Sequence, residues 1–144
     1  MLIREWKYED ILRISELEKE CFPQEPWSFK LLASCFETEG FYSFVAEDGG
    51  EIAGYGNMTV VYDTADLGNI ATAEAYRKSG VATAVLQKLC EVAKQKGALK
   101  MFLEVRVSNS EAMLLYLKHG FNGLYARPRY YSNGEDCLVM VKEL

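Results

Sequence analysis

The chain has 144 residues, 49% hydrophobic and 26% charged, enough apolar material for a core without disulfide or metal staples, which excludes a mainly disordered chain. Sixteen lysines and arginines against 21 aspartates and glutamates leave a net charge of −5, and that balance argues against a protein built to neutralise a phosphate backbone. The four cysteines (Cys21, Cys35, Cys90, Cys137) form no Cys-x-x-Cys pair and His119 is the sole histidine, so neither a metal site nor a histidine-based triad is expected; the thiols read as buried and reduced.

Charges at Arg4, Glu5 and Lys7 fall where a signal peptide needs its apolar stretch, and no apolar run reaches the roughly 18 residues of a membrane span. A cytoplasmic location is expected. Nothing in the composition divides the chain, so one domain over residues 1–144 is expected.

Residues 1–6 read as a short strand. From Tyr8 to Cys21, Ile11, Leu12, Ile14, Leu17 and Cys21 recur at helical spacing among charged residues, which predicts an amphipathic helix. Pro23 and Pro26 end it, and Ser28 is placed to cap a second helix over residues 28–37. Tyr42–Glu47 and Glu51–Val61 read as strands joined through Asp48-Gly49-Gly50, and Leu67–Ala73 as a third apolar strand.

Gly80–Lys96 carries Ala82, Val85, Leu86, Leu89 and Ala93 along one stripe and stops at Gly97, the best-defined helix of the chain. Lys100–Val107 alternates Met101, Leu103, Val105 and Val107 with Phe102, Glu104 and Arg106, a strand pattern. Ser108 with Glu111 predicts a capping box for a helix ending at His119-Gly120, where His119 suits the negative end of the dipole. Strands at Phe121–Arg127 and Asp136–Lys142 follow, joined by an aromatic, basic loop. The order βααβββαβαββ predicts an α/β (α+β) fold, a mixed sheet with helices on both faces.

Tyr76-Arg77-Lys78-Ser79-Gly80-Val81-Ala82-Thr83 lies between a strand and the start of the best helix. A glycine that lets the backbone approach closely, a helix N-terminus and two basic residues together suit a diphosphate. Loops of this kind also use glycine and basic residues for structure alone. There is no Walker A sequence, and Gly54-Tyr55-Gly56 lacks the third glycine of a dinucleotide fingerprint.

Arg77-Lys78-Ser79-Gly80-Val81-Ala82 matches the Arg/Gln-x-x-Gly-x-Gly/Ala motif of the GNAT superfamily of acyl-CoA-dependent N-acyltransferases, and here the chain resembles that family. The likeness extends through Asn69-Ile70-Ala71-Thr72, Leu103-Glu104-Val105-Arg106-Val107-Ser108-Asn109 and Leu115–Phe121. With Phe22, Pro26-Trp27-Ser28, Tyr130-Tyr131 and Gly134-Glu135-Asp136, it is most similar to the branch that acetylates the N-terminal alanine of a ribosomal protein. The resemblance implies a largely antiparallel twisted sheet, acetyl-CoA as co-substrate with no metal, and a protein or peptide N-terminus as acceptor.

It also implies residue roles. Ile70, Ala71 and Thr72 would pair with the pantetheine arm through their backbone. Arg77, Lys78, Ser79, Gly80, Val81, Ala82 and Thr83 would hold the pyrophosphate, with Asn109 a further CoA contact or simply a helix-capping residue. Glu104 would accept the amine proton, although a glutamate alternating with Phe102 and Arg106 also fits an ion-paired sheet face. Tyr116 would protonate the departing thiolate, although a tyrosine among Met113, Leu114, Leu115 and Leu117 also fits a helix packed on the core.

Trp27, Tyr130 and Tyr131 would bind the acceptor, or the aromatics would only stiffen a long hairpin. Two departures stand out: Ala73-Glu74-Ala75 replaces an acidic residue followed by proline, and Ser132 follows the tyrosine pair where proline is usual.

The reaction class sets its own demand, since only a neutral amine attacks a thioester. Neutralising an α-amino group at pH 7 costs about 1.4 kcal/mol, and a lysine about 4.6 kcal/mol, so a lone carboxylate base suits the first. The other readings are acetylation of a small-molecule amine or a lysine side chain on the same fold, and an acyl-CoA-binding module without catalysis.

Overall fold

The computed structural model describes residues 1–144. Strands β1 (Leu2–Glu5), β2 (Phe41–Asp48), β3 (Glu51–Val61), β4 (Thr64–Thr72), β5 (Lys100–Arg106), β6 (Asn122–Arg127) and β7 (Cys137–Glu143) form a seven-stranded sheet in the order β1-β2-β3-β4-β5-β7-β6. Helices α1 (Ile11–Cys21), α2 (Phe29–Phe36), α3 (Val81–Gln95) and α4 (Ser110–Lys118) complete the expected order. The β1–β2, β2–β3, β5–β7 and β6–β7 pairs are antiparallel; β4 and β5 run parallel through Thr64–Lys100, Ala65–Met101 and Asp66–Phe102. The fold is thus mixed α/β with a mostly antiparallel sheet.

The chain divides into two compact units, Met1–Thr59 with Gly68–Val92, and Val60–Leu67 with Ala93–Leu144. In the first unit, strand alternation sends neighbouring residues of β3 to opposite faces. A Cβ added at Gly54 would stand 2.5 Å from Val81 Cγ1 and 2.7 Å from Ala71 O, and one at Gly56 2.7 Å from Val85 Cγ1, so these glycines let α3 lie against the strand. Tyr55, between them, packs in the opposite layer with Ile11, Ile14 and Leu17 of α1, Leu32 of α2 and Trp6. Helices therefore cover both faces there.

Three expectations are corrected. Leu12, read as part of the apolar stripe of α1, is 64% exposed; the buried face runs through Ile11, Ile14, Ser15, Leu17 and Glu18, because Glu18 finds partners inside. Of the cysteines only Cys137 is buried, and Cys21, Cys35 and Cys90 are half-buried free thiols. The capping box on Ser108 does not form: Asn109 caps α4, its Oδ1 accepting from Ala112 N–H at 3.2 Å, while Ser108 donates to Glu135 Oε2 at 2.6 Å.

In the second unit β5 buries Met101, Leu103 and Val105 and turns Phe102, Glu104 and Arg106 to the other face, as alternation predicts.

Candidate active site

The first unit contains the donor-binding candidates. Ile70, Ala71 and Thr72 end β4, and Ala73 N–H donates to Ala53 O at 2.8 Å, which ties the strand's exit to β3. A 3-10 turn at Glu74–Tyr76 follows, with Tyr76 donating its hydroxyl to Glu51 Oε2 at 2.9 Å and Ser79 donating to Tyr76 O. Arg77, Lys78, Ser79 and Gly80 are exposed, and Lys78 and Gly80 have φ of 64° and 84°.

Two left-handed residues in three turn the chain sharply into α3, whose first turn opens at Val81 after Gly80 O accepts from Ala84 N–H at 3.0 Å. A helix start carries N–H groups without intrahelical acceptors and a positive dipole end. Open space surrounds Gly80, with nothing within 4 Å of an added Cβ. An anionic diphosphate fits this loop: the backbone at Gly80 is accessible, and the flanking Arg77 and Lys78 are exposed cations. Gly80 matters for its φ rather than for protein crowding. Arg77 reaches back toward α1, with Nη2 at 4.0 Å from Cys21 Sγ.

Glu104 lies on the outward face of β5 in the second unit, its side chain 40% exposed. Its Oε1 accepts from the Tyr130 hydroxyl at 3.2 Å, and its Oε2 lies 3.2 Å from Arg127 Nε. The carboxylate's negative charge, together with partial burial, raises the Tyr130 phenol above the ordinary tyrosine value. Tyr131 meets Tyr130 edge to face with ring centroids 5.1 Å apart, and Arg106 stacks on Tyr131 at 4.0 Å. Asp66 on β4 has its carboxyl raised by burial and then by the charge of Glu104. The ion-paired reading of Glu104 is therefore observed, and the same pairing holds the carboxylate beside the two tyrosines.

The tyrosines sit on the segment between β6 and β7, whose shape does not depend on a proline after them. Tyr130 and Tyr131 N–H groups both donate to Glu135 O, and Gly134 N–H closes a turn on Tyr131 O at 2.9 Å. Arg106 donates to Asn133 Oδ1 at 3.1 Å, Asn133 Nδ2 to Glu135 Oε1 at 2.9 Å, and Arg129 N–H to Asp136 Oδ1 at 3.0 Å. Ser132 occupies the turn that these bonds define.

Tyr116 on α4 is 7% exposed and packs edge to face on Phe121 at 5.6 Å. Burial pushes its phenol up to about 12, so it keeps its proton throughout the neutral range. Asn109 serves as the α4 cap, and His119 is the C-cap residue of that helix. Trp27 is half-buried in the first unit, with its N–H on Glu18 Oε1 at 2.8 Å.

Sequence reading missed Arg127 and Arg106, which touch site residues by reaching along or across the sheet, and Glu18, which looks like one more polar residue of an amphipathic helix. A cavity of about 520 Å³ is walled by Arg4, Asp10, Arg13, Glu51 and Tyr76 among others; none of the predicted site residues lines it, although its Ala73–Tyr76 wall connects Thr72 to Arg77. Within its wall Arg4 pairs with Asp10, Arg13 lies 3.6 Å from Glu20, and the Tyr76 hydroxyl donates to Glu51.

Comparison with known proteins identifies the family and the fold. Residues 9–121 match the acetyltransferase (GNAT) family. The chain is 36% identical over 118 residues to the ribosomal protein bS18-alanine N-acetyltransferase of Escherichia coli (strain K12), covering 80% of this chain and 79% of that protein. It is 32% identical over 155 residues to an N-alpha-acetyltransferase of Sulfurisphaera tokodaii, covering 99% and 92%. The crystal structure of the ribosomal-protein-S18-alanine N-acetyltransferase from Escherichia coli superposes with a TM-score of 0.87 at 31% identity, over 99% of this chain and 92% of that one. On this match the chain belongs to the GNAT family of N-acetyltransferases.

Proposed function

We propose that this enzyme transfers an acetyl group from acetyl-CoA to the α-amino group of a protein N-terminus, with a ribosomal protein the favoured acceptor, and that residues 1–144 work as one catalytic domain. The observation that carries the reading is the exposed Glu104 carboxylate held between the Tyr130 hydroxyl and Arg127. It gives a proton acceptor of fixed position beside aromatic side chains suited to gripping a peptide. The relatives' names point to the same acceptor class.

The roles follow from the demands of aminolysis. The donor supplies an activated acyl carbon: as its bond to the amine nitrogen forms, its bond to sulfur breaks. Gly80 and the first turn of α3 hold the diphosphate, with Arg77 and Lys78 adding charge, while the backbone of Ile70, Ala71 and Thr72 offers strand-like pairing to the pantetheine arm. Glu104 takes the surplus proton of the amine. Tyr116, a phenol that is neutral at pH 7, gives one to the sulfur. Trp27, Tyr130 and Tyr131 orient the acceptor. No cysteine takes part, so the transfer is direct.

The smaller deprotonation cost of an α-amino group favours this acceptor over lysine. The test is incubation with acetyl-CoA and an Ala-initiated peptide that also contains a lysine, read by fragment mass spectrometry. Label on the amino terminus supports the reading. Label confined to the lysine or to added small amines overturns it, and CoA binding with no transfer to any amine identifies a binding module.

A further inference from the structure

Glu18 is a fully buried carboxylate on the buried face of α1, beside Ile11, Ile14, Ser15 and Leu17. An apolar residue of similar size is often at least as stabilising at such a place, so the partners of the carboxylate show what it is kept for. Three groups donate to it: the Tyr55 hydroxyl on β3, the Asn69 amide on β4 at 3.0 Å to each oxygen, and the Trp27 backbone N–H at 2.8 Å. The first two belong to strands already fixed by the sheet. Trp27 belongs to the irregular stretch between α1 and α2, and its N–H bond to Glu18 links that stretch to the core.

The indole is held at a second point. A Cβ added at Gly68 of β4 would stand 3.2 Å from Trp27 Cη2, so the ring lies close over a strand residue that has no side chain. The same Cβ would fall 1.9 Å from Asn57 Oδ1, which accepts from Asn69 N–H at 3.3 Å. Asn57 is buried with its Nδ2 unpaired, and Asn69 bonds both Asn57 and Glu18. One polar chain thus sets the Trp27 backbone and the surface on which its ring rests.

We propose that Glu18 is a positioning residue for acceptor recognition, holding Trp27 so that the incoming N-terminus meets a preformed aromatic wall instead of a loop that must be ordered on binding. This rests on the reading of Trp27 as an acceptor contact. A preformed wall lowers the ordering cost of the ground-state complex and of the transition state alike, so its loss raises KM for the acceptor and leaves kcat.

The test uses the full chain with acetyl-CoA and the Ala-initiated peptide. Glu18→Met, similar in size and without an acceptor for the Trp27 N–H, raises the peptide KM about tenfold with kcat and acetyl-CoA affinity within about twofold of the parent. Glu18→Gln keeps an oxygen for the N–H and restores KM to within about threefold. Trp27→Ala shows the same KM defect, and Glu18→Met adds little to it.

Amide exchange on the unmutated protein gives a measurement independent of whether any variant folds: the Trp27 N–H is protected. Exchange there as fast as in exposed loops overturns the inference, as does a folded Glu18→Met with unchanged peptide KM or with a loss confined to kcat. If the parent acetylates the peptide while Trp27→Ala keeps its KM, the inference falls and the activity stands. If the parent acetylates no N-terminus, the functional reading has failed and the inference falls with it.

Discussion

Tyr130 donates its hydroxyl to Glu104 Oε1 at 3.2 Å, joining the first residue of the tyrosine pair to the carboxylate that β5 turns outward. The bond gives Tyr130 a role beside the one proposed for it in acceptor binding: it sets the orientation of the carboxylate, together with Arg127 on the other oxygen. Removing the hydroxyl with Tyr130→Phe leaves the ring and its packing on Tyr131. Because the pair is exposed, the loss is modest, about fivefold in kcat/KM for the peptide, with the acetyl-CoA dissociation constant unchanged. Steady-state kinetics beside isothermal titration with CoA checks this; an undiminished kcat/KM removes Tyr130 from the proton acceptor's surroundings.

Glu104→Gln tests the proton acceptor itself. An amide of the same shape keeps the Tyr130 contact and loses the base, so kcat falls roughly tenfold at pH 7 with CoA binding intact. An α-amino group has a pKa of about 8, so above roughly pH 9 most of the acceptor is already neutral and the deficit narrows as pH rises. A rate ratio between parent and variant that stays flat from pH 7 to 9.5 shows that the glutamate has another role.

Why Glu104 was legible and its partners were not follows from what sequence periodicity encodes. Alternation along β5 places Glu104 opposite Leu103 and Val105 from local sequence alone. Arg127 reaches it from β6, a strand beyond β7, and that neighbour relation exists only once the order β5-β7-β6 is known. Ser108 and Asn109 are both capping residue types one position apart. What decides between them is Glu135, which engages the serine from 27 residues away. Glu18 looks solvent-facing on a helical wheel, and its burial depends on Tyr55 and Asn69, distant by 37 and 51 residues. Local pattern specified the elements; the polar contacts between them required the register.

Gly80→Ala separates donor binding from chemistry. The glycine has φ of 84° with open space around it, so the added methyl meets no atom and the cost is that of a non-glycine residue in the left-handed region, about 1 kcal/mol. Relaxation of that strain turns the loop ahead of α3, and the acetyl-CoA dissociation constant rises roughly fivefold while the peptide KM at saturating donor stays the same. Titration calorimetry and a thermal melt read the two effects. A variant that loses stability but binds the donor as tightly as the parent shows that the diphosphate is held elsewhere.

Tyr116 adds a stability signature to its proposed role as proton donor. Burial raises its phenol from the ordinary tyrosine value to about 12. A group whose pKa is higher in the folded state contributes stability that is fully present below its unfolded value and is lost as pH climbs through the folded one, here between about pH 10 and 12. The stability lost across that window is roughly 3 kcal/mol. Tyr116→Phe keeps the contact with Phe121 and has no proton to lose, so its melting temperature falls less steeply than the parent's above pH 10, while near pH 7 the two melts nearly coincide. The same variant lowers kcat at pH 7 without weakening CoA binding. Parallel alkaline melting curves mean that the phenol is not held neutral by the fold; a wild-type kcat means that the thiolate takes its proton from another source.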